Sequence, residues 1–226
     1  MPSTKVRAFF LLLALLLAPF QITAASASAR IVLVFADDET QLALADPAGK
    51  TLVAQEGMVV PPGTTIRTKD TTAELRLEPN GSLLKIARNT VFRIQALQNI
   101  QGASSSDFVV LGGKIRMIAA KVAGLASAYN VITPMAQAAV RGTDFAVEAN
   151  APEGDWICVK EGAVEFALLT NGSKGASVLV SAGEFANAKA PKFAARKASE
   201  ADIADKFSGL DLVAVKEAEV PGHAAP

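Results

Sequence analysis

Residues 73–87, AELRLEPNGSLLKIA, constrain this chain more than any other stretch. Leu75 and Leu77 alternate with Glu74, Arg76 and Glu78, a period of two that puts successive side chains on opposite faces of a half-exposed strand. Asn80-Gly81 then supplies the positive φ angles that a tight hairpin demands, and SLLKIA resumes the apolar run. Asn171-Gly172 repeats the signal between VEFALL and ASVLV. Further strands are expected at 31–35, 41–45, 51–54, 91–97, 107–111, 114–118, 129–132 and 144–148, all short and punctuated by Gly and Pro. The fold class is therefore all-β: a rolled or layered sheet of short strands joined by glycine-rich hairpins, β-solenoid-like or a sandwich, with a short C-terminal helix.

A weak internal rhyme runs through the strands. LVAQEGMVV, VVLGGKIRM, CVKEGAVEF and LVSAGEFAN each carry apolar residues, a glycine at 57, 113, 162 or 183, and a resumed strand. Their uneven spacing excludes a solenoid of fixed period and points to stacked β-turns, where glycine takes a left-handed conformation without a Cβ clash.

The ends of the chain carry different signals. Lys5 and Arg7 precede the apolar run 9–18, and small residues follow at 23–29, which is the layout of a cleavable secretory signal peptide. Ten apolar residues fall short of the roughly 20 that a spanning helix needs, so no stable membrane insertion is expected after cleavage behind Ala25, Ala27 or Ala29. The expected organisation is a signal peptide over 1–29, an all-β domain over 30–188, and a C-terminal extension over 189–226 with a short helix and a flexible tail. Removal of Lys5 and Arg7 leaves 22 − 2 = 20 basic against 22 acidic side chains, a formal charge of −2. Such a chain has no electrostatic case for binding nucleic acid.

The stretch 133–148, TPMAQAAVRGTDFAVE, places a charged tetrapeptide inside a small, apolar run. Pro134 biases Thr133 toward extended geometry and removes a donor, so a strand ends there. Gly142 lets the backbone turn before Phe145 and Val147 resume on one strand face. Arg141 then stands at a corner with five donors, expected to tie turn carbonyls or a carboxylate such as Asp144 or Glu148 rather than a ligand.

These segments together resemble the FecR domain. The resemblance rests on PPGTTIRT (61–68), AELRLEPNGSLLKIA, LGGKIRM, YNVITPMAQAAVRGTDFAVE, VKEGAVEF and VSAGE, and covers residues 50 to 185 approximately. Its most specific part is Thr133, Pro134, Arg141, Gly142, Thr143, Asp144 and Phe145, a family motif whose expected role is structural. The resemblance implies a periplasmic all-β domain, known in FecR itself as the sensing half of a membrane-spanning anti-sigma regulator for iron-siderophore uptake. FecR-type regulators carry a sigma-binding segment before their membrane helix, whereas eight residues precede the apolar run here. That sigma-binding role is therefore not expected of this chain.

Residue types for catalysis are sparse. The only histidine, His223, lies in the tail EVPGHAAP, and Cys158 is the only cysteine, so nucleophilic Ser/His or Cys/His chemistry lacks a positioned base and zinc lacks ligands. Cys158 reads as a small core thiol, sharing a strand face with Trp156 and Lys160. Asp37-Asp38-Glu39 lacks the glycine offset of a calcium loop and reads as a solvated turn. No catalytic, cofactor-binding or metal-binding residue is assigned. After residue 186 the chain turns basic at Lys189, Lys192, Arg196 and Lys197; Ser199 and Asp202 then form a capping box for a helix at about 200–207. Ile203, Phe207 and Leu210 give this segment an apolar stripe that either packs on the β-domain or serves as a partner contact. The expected function is a non-enzymatic periplasmic binding or scaffold module for an envelope protein. The alternative is an accessory sensor in an envelope or iron-uptake signalling system, acting through a separate membrane protein.

Overall fold

The computed structural model describes residues 29–100, 103–120 and 128–213. The segment expected to be a signal peptide, apart from residue 29, and the tail with His223 lie outside the described residues.

The strands in chain order are β1 (Arg30–Ala36), β2 (Ala43–Ala45), β3 (Thr51–Leu52), β4 (Val59–Val60), β5 (Thr65–Arg67), β6 (Ala73–Glu78), β7 (Ser82–Ile86) and β8 (Val91–Ile100). They continue as β9 (Ala103–Ile118), β10 (Ala128–Ile132), β11 (Ala136–Val140), β12 (Asp144–Ala149), β13 (Trp156–Glu161) and β14 (Ala163–Thr170). Last come β15 (Ser173–Ser181), β16 (Glu184–Asn187), β17 (Arg196–Lys197) and the C-terminal helix (Glu200–Phe207). The expected all-β fold with its short helix is what forms.

The strands make one open network folded into two layers. Sheet I runs β4-β1-β6-β7-β9-β12-β13-β16-β17, antiparallel throughout. Sheet II runs β3-β2-β5-β8-β9-β10-β11-β14-β15, antiparallel except for the parallel pair β9–β10. The long strand β9 belongs to both: up to Gly112 it pairs with β8 and β10, and from Gly113 onward with β7 and β12. Two strands were expected here, at 107–111 and 114–118. Gly113 bends one continuous strand instead, with φ of 88°. A Cβ at this corner would lie 2.5 Å from Thr90 Oγ1 and 2.8 Å from the Asn89 carbonyl, so glycine is sterically required.

That corner explains the internal rhyme. The chain also changes sheets at Gly57 (β3 to β4), Gly162 (β13 to β14) and Gly183 (β15 to β16), and again at Gly142 (β11 to β12). Hairpins β6–β7 and β12–β13 in sheet I alternate with β10–β11 and β14–β15 in sheet II, so the chain advances along the sandwich as it winds. The repeated glycines thus mark layer crossings, not stacked copies of one turn.

The layers enclose a single core. From sheet I, Leu75, Leu84, Ile115, Phe145, Val147 and Ile157 point inward; from sheet II, Ile66, Phe92, Phe108, Val131, Phe166 and Val180 meet them. Removing each such side chain from water contributes about 1.5–3 kcal/mol. Phe92, Phe108 and Tyr129 stack in series with ring centroids 5.6 and 6.3 Å apart. The Tyr129 hydroxyl bonds Ser82 Oγ at 2.8 Å and accepts from the Asn80 amide, pinning β10 to the β6–β7 hairpin of the opposite sheet.

A second, smaller cluster lies on the outer face of sheet I. Ala146, Trp156, Cys158, Phe185 and Leu210 are buried there, with Ile203 and Phe207 packed against them. The strand β6 is accordingly less exposed than its alternation suggests: Glu74, expected on a solvated face, is completely buried. Period two sets which face a residue takes, and the C-terminal segment determines that this face is covered.

Candidate functional site

Residues 133–145 form the turn of a hairpin and a layer crossing. Thr133 Oγ1 accepts the Ala136 N–H at 3.0 Å, closing the β10–β11 turn around Pro134. The buried Asp155 accepts from the Met135 N–H and the Asn150 N–H, each at 2.8 Å, and so joins this turn to the β12–β13 hairpin. Gly142, at φ of 60°, carries the chain from sheet II to sheet I. The Thr143 carbonyl accepts from the Ala119 N–H at 2.8 Å, while its buried Oγ1 has no hydrogen-bond partner among the described residues. Phe145 is fully buried in the core.

Arg141 does not do what its position suggested. It is exposed and makes no side-chain hydrogen bond among the described residues. Asp144 is held instead by Arg116 of β9, with Nε at 2.8 Å and Nη2 at 2.7 Å from its two carboxylate oxygens. The cross-strand neighbour was nearer in space than the sequence neighbour, because β12 pairs with β9. This bidentate bond raises Arg116 above the usual arginine range, against the opposing effect of burial.

Arg116 belongs to a ladder of charges across the outer face of sheet I. Lys85 Nζ lies 3.0 Å from Glu74 Oε1, with the side chains 5% and 0% exposed, and 5.0 Å over the Phe35 ring. The chain from Ser199 to Val213 crosses this ladder. Lys114 Nζ donates to the Ser208 carbonyl at 2.9 Å, Arg116 Nη1 to the Leu210 carbonyl at 3.3 Å, and the Val213 N–H to Glu74 Oε1 at 2.7 Å. Burial lowers Lys114 below the ordinary lysine range, with Glu148 and Asp205 countering. The Arg116 guanidinium stands 5.3 Å over Phe207, and Lys206 4.5 Å over Trp156.

The predicted helix stripe is placed on this face. Leu210 is fully buried, and Ile203 and Phe207 are half-buried against Trp156 and Cys158. The capping box forms as read: Asp202 accepts the Ser199 N–H at 3.0 Å while Ser199 Oγ accepts the Asp202 N–H at 3.1 Å. The first of these bonds is the main cause holding the Asp202 carboxyl below the usual range. Cys158, beneath the segment, is pushed up to about 11, chiefly by desolvation, which keeps it a thiol at neutral pH.

Two other surfaces stand out. A cavity of about 440 Å³ lies beside the segment, lined by Asp37, Lys85, Arg88, Ser208, Gly209 and Asp211 among others. Sheet II ends in β15, nine residues long, exposed over most of its length and paired with β14 alone among the described residues. Its Leu179 is 62% exposed. Asp37, Asp38 and Glu39 serve as turn acceptors: Asp38 caps Thr40, Asp37 accepts from Thr72, and Glu39 accepts from the Glu56 N–H. Among the described residues no group of three His, Cys, Asp or Glu is placed to hold a metal ion, and no helix is long and apolar enough to cross a membrane.

The charged ladder was missed in the sequence. Lys114 and Arg116 alternate with Ile115 and Met117, so their common face was legible; the neighbours across β7, β9 and β12 were not.

Residues 64–165 match the family model described as FecR protein. Two crystal structures of a candidate anti-sigma factor from Parabacteroides distasonis align with this chain, each at 17% identity and a TM-score of 0.44. Each alignment covers 58% of this chain and 58% of the other. No curated protein matches.

Proposed function

We propose that the chain, whose residues 64–165 match the FecR family model, is a non-enzymatic binding or scaffold module of the periplasm that holds an envelope protein. The observation that supports it most directly is the free edge of β15. One side of this strand bonds β14, and the other presents backbone donors and acceptors that meet no strand among the described residues. An extended segment of a partner can add there as a further strand, with Leu179 as an apolar contact. The charged tetrapeptide of the family motif builds a layer crossing, so its role is to hold the sheets that carry the edge.

A photo-reactive residue at Ser177, in the full chain and in intact cells, tests this reading. It should capture an envelope protein, and Leu179→Lys should abolish the capture while leaving the melting temperature unchanged. Amino-terminal sequencing of the periplasmic fraction should find a chain beginning near residue 28 or 30. Reproducible turnover of peptidoglycan, ester or peptide substrates, abolished by one carboxylate substitution, would sink the proposal.

The match of residues 64–165 to the FecR family model also favours a second reading, an accessory sensor in an envelope or iron-uptake signalling system that acts through a separate membrane protein. A sigma factor or a TonB-dependent receptor encoded beside this chain would select it.

A further inference from the structure

We propose that Ser199–Val213 is a releasable strap, and that the outer face of sheet I beneath it is a peptide-docking face whose occupant in the closed protein is this segment of the same chain. The inference concerns a different surface from the β15 edge and stands whether or not that edge binds a partner.

The face is built to read a backbone. Lys114 and Arg116 donate to the carbonyls of Ser208 and Leu210, and Glu74 accepts the Val213 N–H. Leu210 and Leu212, two residues apart, are the buried anchors. Backbone bonds together with buried apolar side chains are how a peptide segment is held on such a face. The strap carries Glu200, Asp202, Asp205 and Asp211 against Lys206, and the face beneath is mixed in charge: Lys114 and Lys160 stand beside the pairs Lys85–Glu74 and Arg116–Asp144.

The strap is also the part of the molecule easiest to lift. Its helix has eight residues, none of them buried, which is too short to persist without its contacts. Beside Ser208, Gly209 and Asp211 the segment borders an open cavity of about 440 Å³, whereas the core between the sheets closes on fully buried side chains. A face covered at all times has no need of Glu74, Lys85, Lys114, Arg116 and Asp144; a face that meets water when the strap lifts does. Opening therefore occurs below the threshold of global unfolding, and uncovers Trp156, Cys158 and the charge ladder together. A partner segment that carries two leucine-sized residues at the same spacing and offers its backbone carbonyls to Lys114 and Arg116 would compete with the strap for this face.

Cys158 is the only cysteine and lies under the strap, so alkylation of the full-length protein under native conditions reports opening. The double variant Phe207→Ala/Leu210→Ala should be labelled roughly 100-fold faster than the parent, while amide exchange in β12 and β13 stays as slow as before. A synthetic peptide of residues 199–213 should restore protection to that variant, a scrambled peptide should not, and Lys114→Ala in the variant should weaken the rescue. Labelling of parent and variant alike only at the rate of global unfolding would overturn the proposal. So would failure of the peptide to protect, and protection of the parent that rises with protein concentration would assign the strap to a second copy instead.

Discussion

Sheet I presents two faces from the same strands, and they are unlike in what covers them. Inward, Leu75, Leu84, Ile115, Phe145 and Ile157 meet the other sheet in one continuous apolar core. Outward, Glu74, Lys85, Arg116 and Asp144 form ion pairs beneath fifteen residues of the C-terminal segment. Alternation along a strand divides residues between faces with equal rigour on both sides. What differs is the cost of uncovering each: separating the sheets exposes the whole core, whereas lifting the strap exposes the small cluster around Trp156 and charges that water solvates well.

The largest effect should come from the inner face. Phe145→Ala is expected to cost about 3–5 kcal/mol, read as a lower urea midpoint with an unchanged slope. A loss under 1 kcal/mol would mean that the two sheets are not one core.

On the outer face, Lys85→Met takes from the Glu74 carboxylate its cation while the Val213 N–H still bonds it. Breaking a pair of this kind in a closed core costs about 3–5 kcal/mol, but here the strap can lift and admit water. The global loss should therefore be smaller, with faster amide exchange confined to the strap. Equal acceleration across β12 and β13 would erase the distinction between the faces.

Cys158 separates them by pH. Its folded value, about 11, lies above the ordinary 9.0, so the unfolded thiol ionises first as pH rises. Stability from this group is intact below pH 9 and is lost between about 9 and 11, by at most about 2–3 kcal/mol. Cys158→Ala should flatten that alkaline decline; an identical decline in the variant would assign it elsewhere. Asp202 works at the other end of the scale. Its depressed value means that the capping contribution is present above the ordinary 3.8 and fades as pH falls through the lower folded value, so acid should loosen the strap before the sheets.

The smallest effect should be at Arg141. Exposed and without a side-chain hydrogen bond, it should tolerate lysine within about 0.5 kcal/mol. Gly142→Ala, next to it, should cost about 1 kcal/mol, since its φ is positive. Thermal melts of the two single variants rank them, and a reversed order would restore the corner to Arg141.

Strands β5, β11 and β17 lie outside the expected ones, and at the first turn Gly81 takes a positive φ while Asn80 does not; the sequence by itself determined the other strands, the positions of both Asn-Gly turns, the capped helix at Glu200–Phe207 and the FecR resemblance. Each of these rests on contacts within a few residues or on a motif, so it is written in consecutive letters. Tertiary structure alone decided that Gly57, Gly113, Gly162 and Gly183 are layer crossings, because a left-handed glycine permits a turn without saying which sheet receives the next strand. It decided that Asp144 belongs to Arg116, 28 residues away, and not to its neighbour Arg141. It also decided that Glu74 is buried, by laying Val213 across it from 139 residues downstream. Pairing between strands and the cover over a face are long-range choices, made by which surfaces can close together with their polar groups satisfied, and no local period encodes them.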